Sequence, residues 1–359
     1  MLPYILLISF ILISLLLNKK RDNISFVIIA IYILFLGYFR AETVGTDILF
    51  SYKENFKYTT FNVSSWNART LFEPGFNYLI AFWKKYISRD LMTFIGFTFV
   101  VFSIPFFIFI KKYSYRPNLT LLIFVLWGYF FTSMNIMRQF FCIGLIFIGL
   151  TYLLAKKKYL LYCFYTIICS ALFHSSGFIL LLLPFFDKFS ITLTKRNKMI
   201  LTSLLLFSYI AFFFKEFIMN TLSSLLYLIS LVKFKSYTEG SDFYEGIGIT
   251  ALFQMIFCIL FIWLSNNKKS NMYYLSYIAG CIIYNLLSCF SKTTGRVGIN
   301  LILIGLIAIT GTWYMHNSNK KRNMYRLALI VYSIVYFTYA IIIKNYNECV
   351  PYILRLNLQ

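Results

Sequence analysis

The chain has 359 residues, 60% hydrophobic, 21% aromatic and only 13% charged, and its mean hydropathy of +0.74 lies far outside the range of a soluble globular protein. The formal charge of +22 comes from 34 Lys and Arg against 12 Asp and Glu. These bases stand in short clusters between apolar runs and no basic domain stands clear of them, which argues against nucleic-acid binding and for an all-α polytopic membrane protein.

In chain order, apolar segments long enough to cross or nearly cross a bilayer are predicted at 2–17, 24–39, 91–110, 119–134, 140–154, 159–173, 176–187, 199–214, 248–265, 272–290, 297–315 and 324–343. The first run has no charge before it and Asn18-Lys19-Lys20-Arg21 after it. That is the reverse of a cleavable signal, so it is read as a retained helix. The run 159–187 is the ambiguous one, either a single long tilted helix or two short ones turning at Phe173-His174-Ser175-Ser176-Gly177. The seven cysteines contain no C-x-x-C pair and are read as packing residues.

With about twelve crossings, six basic clusters fall on one side: Lys19-Lys20-Arg21; Lys111, Lys112 and Arg116; Lys156-Lys157-Lys158; Lys188, Lys195, Arg196 and Lys198; Lys268-Lys269; and Lys320-Lys321-Arg322. That side is expected to be cytoplasmic, with both termini external. A single crossing over 159–187 would break this pattern, so the charge rule favours two. The external side then carries loops at 40–90 and 215–247, and most of the acidic residues. Within 215–247, Phe217, Leu222, Leu225, Leu226, Leu228, Ile229 and Val232 suit a helix lying in the interface. No repeat or linker divides the chain, so a single integral membrane domain over 1–359 is expected.

The unusual polar residues collect on the external side. Arg40, Glu42 and Asp47 lie in YFRAETVGTD, Glu73 opens EPGF before a short amphipathic run, Arg138-Gln139 interrupt an apolar stretch, His174 occupies an outer turn and Arg296 ends SKTTGR. Each has a plain structural reading: a snorkelling anchor for Arg40 or Arg296, a satisfied structural histidine for His174, a helix cap for Asp47 or Glu73, turn formation for Pro74 and Gly75. Arg138 resists one, because its neighbours Ile136, Met137, Phe140 and Phe141 imply depth, where an arginine costs roughly 2.5–3.5 kcal/mol and calls for an anionic partner. His316 lies in a basic cytoplasmic loop and carries no functional weight. Arginines with carboxylates and an imidazole at a membrane boundary suit a lipid-linked phosphate, since guanidinium forks hold phosphate oxygens and a carboxylate or imidazole takes a proton from an attacking hydroxyl. There is no Walker loop, H-E-x-x-H, G-x-S-x-G or Asp-x-Asp pair, so the expectation is metal-independent chemistry without a cofactor.

The ordered motifs FRAETVGTD with Tyr52 downstream, FEPGFNYL, MNIMRQFF and LFHSSGFILLLLP resemble the EpsG family of Wzy-type polysaccharide polymerases over roughly residues 36 to 186. KFKSY and SKTTGR are looser equivalents in the second half. The resemblance implies a GT-C-like glycosyltransferase of the bacterial plasma membrane that joins undecaprenyl-diphosphate-linked oligosaccharides at the outer face. It implies catalytic roles for Arg138, His174 and Asp47, and substrate-binding roles for Arg40, Glu73, Gln139, Arg296 and Tyr52. Ile48 departs from the aromatic residue the pattern often has beside Asp47. The expected partners are lipid-linked donor and acceptor glycans, membrane lipid, a chain-length regulator and a flippase. Trp66, Tyr58 and Tyr78 suit either sugar faces or an interfacial belt. The rival readings are an O-antigen-ligase-like transferase, which hands the glycan to another acceptor, a transporter of the lipid-linked oligosaccharide, and a membrane acyltransferase, which would leave the arginines unexplained.

Overall fold

A computed structural model describes all residues except 17–18, 64–65, 67–71, 215–247, 266–270, 289–291, 315–317 and 356–359. The expected interfacial helix within 215–247, KFKSY, Cys289, His316 and Lys268-Lys269 therefore lie outside the described residues. Among the described residues every element is helical, and one isolated backbone bridge joins Arg40 to Leu354. The chain forms two compact units, Met1–Pro184 with Ser333–Gln359, and Phe185–Tyr332.

In the first unit α1 (Leu2–Leu16) and α2 (Lys19–Tyr38) precede a loop that carries α3 (Lys53–Tyr58) and α4 (Pro74–Tyr86). Then follow α5 (Leu91–Tyr113), α6 (Pro117–Leu126), α7 (Tyr129–Asn135), α8 (Met137–Tyr152) and α9 (Tyr159–Leu172), and the chain passes from the first unit to the second within α10 (Leu183–Lys188). Among the described residues three helical stretches are long and apolar enough to cross a membrane: Leu91–Tyr113, Met137–Lys156 and Asn319–Ile343. Six more are apolar but shorter, and α6 with α7 forms a broken span bent by 64°. The fold is thus that of an all-helical polytopic membrane protein.

The bend corrects the expectation of one straight helix over 119–134. Gly128 stands at φ +75 between the two halves, a left-handed conformation open to glycine. Trp127, fully buried, donates from Nε1 to Ser333 Oγ at 2.9 Å. The ambiguous run 159–187 is not one helix. It stops at Leu172, turns through His174 and returns as a tighter helical stretch, Ser175–Leu182, with Tyr162 Oη donating to the Leu180 carbonyl at 3.2 Å. Gly177 makes the turn possible, since a Cβ there would come within 2.5 Å of Ser170 Oγ.

The first unit has two chemically distinct ends. At one, Arg116 donates to the Leu15 carbonyl at 2.6 Å, Lys112 to that of Thr151 at 3.4 Å and Lys111 to Asn23 Oδ1. At the other lie the start of α1, where Tyr4 donates to the Cys349 carbonyl at 2.8 Å, the end of α2, where Tyr352 donates to the Leu36 carbonyl at 3.1 Å, and the starts of α5 and α8. Adjacent helices therefore alternate in direction, and the basic clusters share an end, as the charge pattern requires.

Above α5 and α8 the loop 40–90 builds its own apolar core. Ile48, Tyr52, Phe56, Phe72, Phe76, Ile80, Trp83 and Phe94 are buried together with Met137 and Phe141. Burying several aromatic rings at roughly 1.5–3 kcal/mol each holds this loop as a folded cap.

The second unit contains α11 (Lys195–Ile210), α12 (Ile249–Leu264), α13 (Met272–Ser288), the short α14 (Lys292–Gly295), α15 (Val297–Thr312) and most of α16 (Asn319–Tyr336). Helices α13 and α15 meet through glycines, a Cβ on Gly298 lying 2.5 Å from the Gly280 carbonyl. Small residues let membrane helices approach this closely. Lys198 donates to the Ser265 carbonyl at 3.0 Å and is held below its ordinary pKa by burial and by Lys321, so these basic residues too share an end.

Candidate active site

The residues singled out from sequence meet where the cap rests on the start of α8. Helix α7 ends at Asn135 and α8 begins at Met137, with Ile136 alone between them. Arg138 is therefore in the first turn of α8 and not in a loop. A cation there faces the positive end of the helix dipole, which sharpens the need for a counter-charge. Glu73 supplies it: Arg138 Nη1 and Glu73 Oε2 are 2.8 Å apart, with the side chains 21% and 13% exposed. The guanidinium lies over Phe72, its Cζ 3.7 Å from the ring centroid, a cation–π contact.

Glu73 precedes α4 with extended backbone but makes no cap with its side chain. Its second oxygen, Oε1, instead accepts from the Ser175 backbone N–H at 3.2 Å. Pro74 is the first residue of α4, and Gly75 is helical, its missing Cβ letting the Leu172 backbone approach. This corrects the expectation of a turn at EPGF: proline suits a first helical position, and the glycine serves close packing.

Tyr52 reaches α8 from below the cap, its hydroxyl accepting from the Arg138 backbone N–H at 2.9 Å. Burial holds that hydroxyl above its ordinary pKa, against the lowering effect of Arg138, so its own proton remains available for donation. Asp47 sits at the start of a wide helical turn, Ile48–Tyr52, without capping it. Its position is set by Asn135, whose Oδ1 accepts from the Asp47 backbone N–H at 2.9 Å and from Thr46 Oγ1 at 3.0 Å.

His174 faces this region from the α9 turn. Its Nδ1 accepts from the Ser176 backbone N–H at 3.2 Å and lies 2.8 Å from Ser176 Oγ. A neutral ring bonded in this way carries its proton on Nε2, and presents a donor there.

Arg40 does not snorkel. It is 0% exposed, and Nη2 donates to Met137 Sδ at 3.0 Å while Nε and Nη1 have no hydrogen-bond partner. Burial lowers its pKa to about 10, so it remains a cation at neutral pH. Arg40 thus bonds to the side chain of Met137, the residue before Arg138 in α8.

Gln139 is buried in α8, one residue past Arg138 and so turned to another face of the helix. Arg296 belongs to the second unit, where it precedes α15 in helical backbone. Tyr58 and Tyr78 are exposed at 53% and 45%, and Tyr78 packs edge-on against Trp66 with centroids 5.0 Å apart.

Sequence reasoning missed Asn135, Met137, Phe72 and Ser175 as members of this cluster, although all four lie in or beside the quoted motifs. It also missed the C-terminal segment. Ala41 N–H donates to the Ile353 carbonyl at 2.9 Å, Arg355 N–H to that of Phe39 at 2.7 Å, and Arg355 Nη2 pairs with Asp90 Oδ2 at 2.6 Å. No pattern in the tail's sequence announces this return.

No curated protein and no solved structure matches the chain. The sequence model of the EpsG family matches residues 23–354. That span contains Arg40, Asp47, Tyr52, Glu73, Arg138 and His174 together with both units' helices, and the chain belongs to the EpsG family, a family of Wzy-type polymerase-like proteins.

Proposed function

We propose that this protein is a polysaccharide polymerase of the GT-C-like kind. It crosses the bacterial plasma membrane about twelve times as one integral domain with both termini outside, and joins undecaprenyl-diphosphate-linked oligosaccharide units at the outer face. The observation that supports this reading is the placing of two arginines about the start of α8, Arg138 in its first turn on Glu73 and Arg40 on the Met137 sulfur, the latter buried with Nε and Nη1 lacking any hydrogen-bond partner. Burying a cation without an anion is costly, and a diphosphate is the anion that two arginines fit. The opposite placement of the basic clusters within the first unit supports an outer-face site.

In this mechanism Arg138 and Arg40 hold the donor diphosphate and stabilise the charge that grows on it as the anomeric C–O bond breaks. A hydroxyl at the non-reducing end of the acceptor attacks the anomeric carbon, its proton passes to the Asp47 carboxylate, and undecaprenyl diphosphate leaves. Asp47 is preferred to His174 as the base, because the His174 ring presents an N–H from Nε2 and so acts as a donor to substrate oxygen. The Tyr52 hydroxyl donates a hydrogen bond to the substrate and keeps its proton, Glu73 orients Arg138, and Gln139 and Trp66 serve the sugars. A chain-length regulator and a flippase are the expected partners.

The test is purified protein in detergent with undecaprenyl-diphosphate-linked oligosaccharide, with and without a chelator. A ladder of lengthening lipid-linked chains in both conditions is expected. A single transfer to a different acceptor would make it a ligase, and no elongation with intact transport across vesicles would make it a transporter.

A further inference from the structure

Among the described residues Arg40 is the only charged side chain that is buried throughout, yet the reading above asks it to meet a diphosphate. What covers it is the C-terminal segment. Leu354 stands opposite Arg40 in the isolated bridge, and Cys349 and Tyr352 lie near enough to act on its charge. Tyr4, Tyr52 and Met137 close the remaining sides. None of these neighbours carries a carboxylate, so the cation is sealed in with no counter-ion, an arrangement that folding alone does not favour.

The covering segment is anchored near its middle by Tyr4 Oη on the Cys349 carbonyl at 2.8 Å and by Tyr352 Oη on the Leu36 carbonyl at 3.1 Å, and is held at further points on either side. Two backbone hydrogen bonds flank the bridge, Gly45 N–H donates to the Glu348 carbonyl at 3.2 Å, and Asn347 Nδ2 donates to Thr132 Oγ1 at 3.3 Å. The outermost hold is the ion pair of Arg355 with Asp90, which is partly exposed, at 24% and 40%. Asn345 and Glu348 both have positive φ, +43 and +48, conformations that cost non-glycine residues strain. Asn345 bonds both ways to Val350, Nδ2 to its carbonyl and Oδ1 to its N–H, so the bend travels as a preformed loop.

We propose that Asn345–Arg355 is a strap latched over Arg40 by the Arg355–Asp90 pair, and that a lipid-linked diphosphate reaches the Arg40 guanidinium only when the strap lifts. This rests on the polymerase reading for the identity of the anion, but the motion can be measured without it. Cys349 is a built-in reporter: it is 1% exposed, carries a free thiol, and burial pushes its pKa up to about 12. It reacts with aqueous reagents only when the strap is off.

The experiment follows maleimide labelling of Cys349, read by peptide mass spectrometry, on the full-length protein in detergent. Slow labelling is expected at rest, and Arg355→Gln, which spares the Asp90 cap of α5, is expected to speed it by roughly fivefold or more. Undecaprenyl diphosphate should speed it in the unaltered protein. An equal response to inorganic pyrophosphate would assign the opening to the diphosphate, and a response to the lipid alone would assign it to the carrier. Unchanged labelling in Arg355→Gln overturns the latch, and no response to either ligand overturns the coupling.

A second arm locks the strap. Ala41 and Ile353 lie beside the bridge, joined by the bond from the Ala41 N–H to the Ile353 carbonyl at 2.9 Å, and opposed residues of an antiparallel pair have Cα atoms about 4.5–5.5 Å apart, inside the disulfide range. Oxidised Ala41→Cys/Ile353→Cys should lose chain elongation by about tenfold or more and regain it on reduction. Full elongation with the disulfide formed would overturn the strap as a gate. If neither the reduced variant nor the unaltered protein elongates chains, it is the polymerase reading that fails, and the labelling result still decides whether the strap moves.

Discussion

Arg138 and Glu73, 65 residues apart in sequence, close an ion pair of 2.8 Å over the face of Phe72. The arginine enters from the first turn of α8 and the carboxylate from the residue before α4, so the pair ties the cap to the helical bundle. It also means that the costly cation in the apolar MNIMRQFF stretch has its counter-charge in the cap.

Replacing Arg138 separates fork from charge. Arg138→Lys keeps the charge but loses both the bidentate geometry and the guanidinium contact with Phe72, and chain elongation is expected to fall roughly 10²–10³-fold, the scale of losing one oriented oxyanion donor. Full polymer length on a gel from the lysine variant would refute bidentate diphosphate binding.

Glu73 is expected to act on stability as well as activity. Glu73→Ala leaves Arg138 partly buried without its counter-charge and strips the Ser175 N–H of its acceptor, a loss of roughly 1.5–3 kcal/mol. Glu73→Gln keeps an acceptor for Ser175 and should recover part of it. Thermal melting in detergent compares the two; equal melting temperatures would mean the carboxylate positions nothing.

Asn135→Ala is predicted to disable the site without touching any proposed catalytic group. It removes the single oxygen that accepts from both the Asp47 backbone and Thr46. The orphaned N–H costs about 1–3 kcal/mol and frees Asp47 to drift. Elongation should fall while the protein still folds, and normal kcat and KM would show that Asp47 needs no such support.

Lys84 carries the cap. Its ammonium donates to the carbonyls of Phe56, Lys57 and Thr59 at 2.6, 2.9 and 2.9 Å, and so closes the C-terminal end of α3, where a cation is favoured. Lys84→Met preserves the stem but not the three bonds. Faster proteolysis within 53–63 is the expected result, and unchanged cleavage would assign the cap's order to its aromatic core alone.

Close packing of α5 on α8 depends on Gly144, where a Cβ would lie 2.5 Å from Phe102 Cα and 2.6 Å from the Val101 carbonyl. Gly144→Ala must part the helices, at roughly 1–3 kcal/mol. Gly311→Ala, with nothing within 4 Å of its Cβ, serves as control and should melt within about 0.5 kcal/mol of the unaltered protein. Equal behaviour of the two variants in a thermal scan would remove the steric account.

Much of this was legible because hydrophobic length and charge clustering are local properties. The basic ends of α5 and α8 and the turn at His174 follow from them. The motifs also share one neighbourhood, since Glu73, Arg138 and Tyr52 are joined by direct bonds. The bend at Gly128 was not legible: one glycine in an apolar run is more often packing than a break, and only its left-handed φ and the buried Trp127 distinguish it. Nor was the burial of Arg40, because what buries it returns from more than 300 residues away. Asn135 was passed over because an amide reads as neutral until the N–H it accepts from is known.

The two oxygens of Glu73 bond to different parts of the chain, one to a guanidinium and one to the amide of Ser175. An anion that drew Arg138 away would leave the carboxylate repelled by the newcomer and free to let that amide go. Ser175 would then exchange its backbone hydrogen with solvent at a rate that tracks occupancy. One peptide in a deuterium-exchange map, beside His174 and with no engineered label, would count how often the donor is bound.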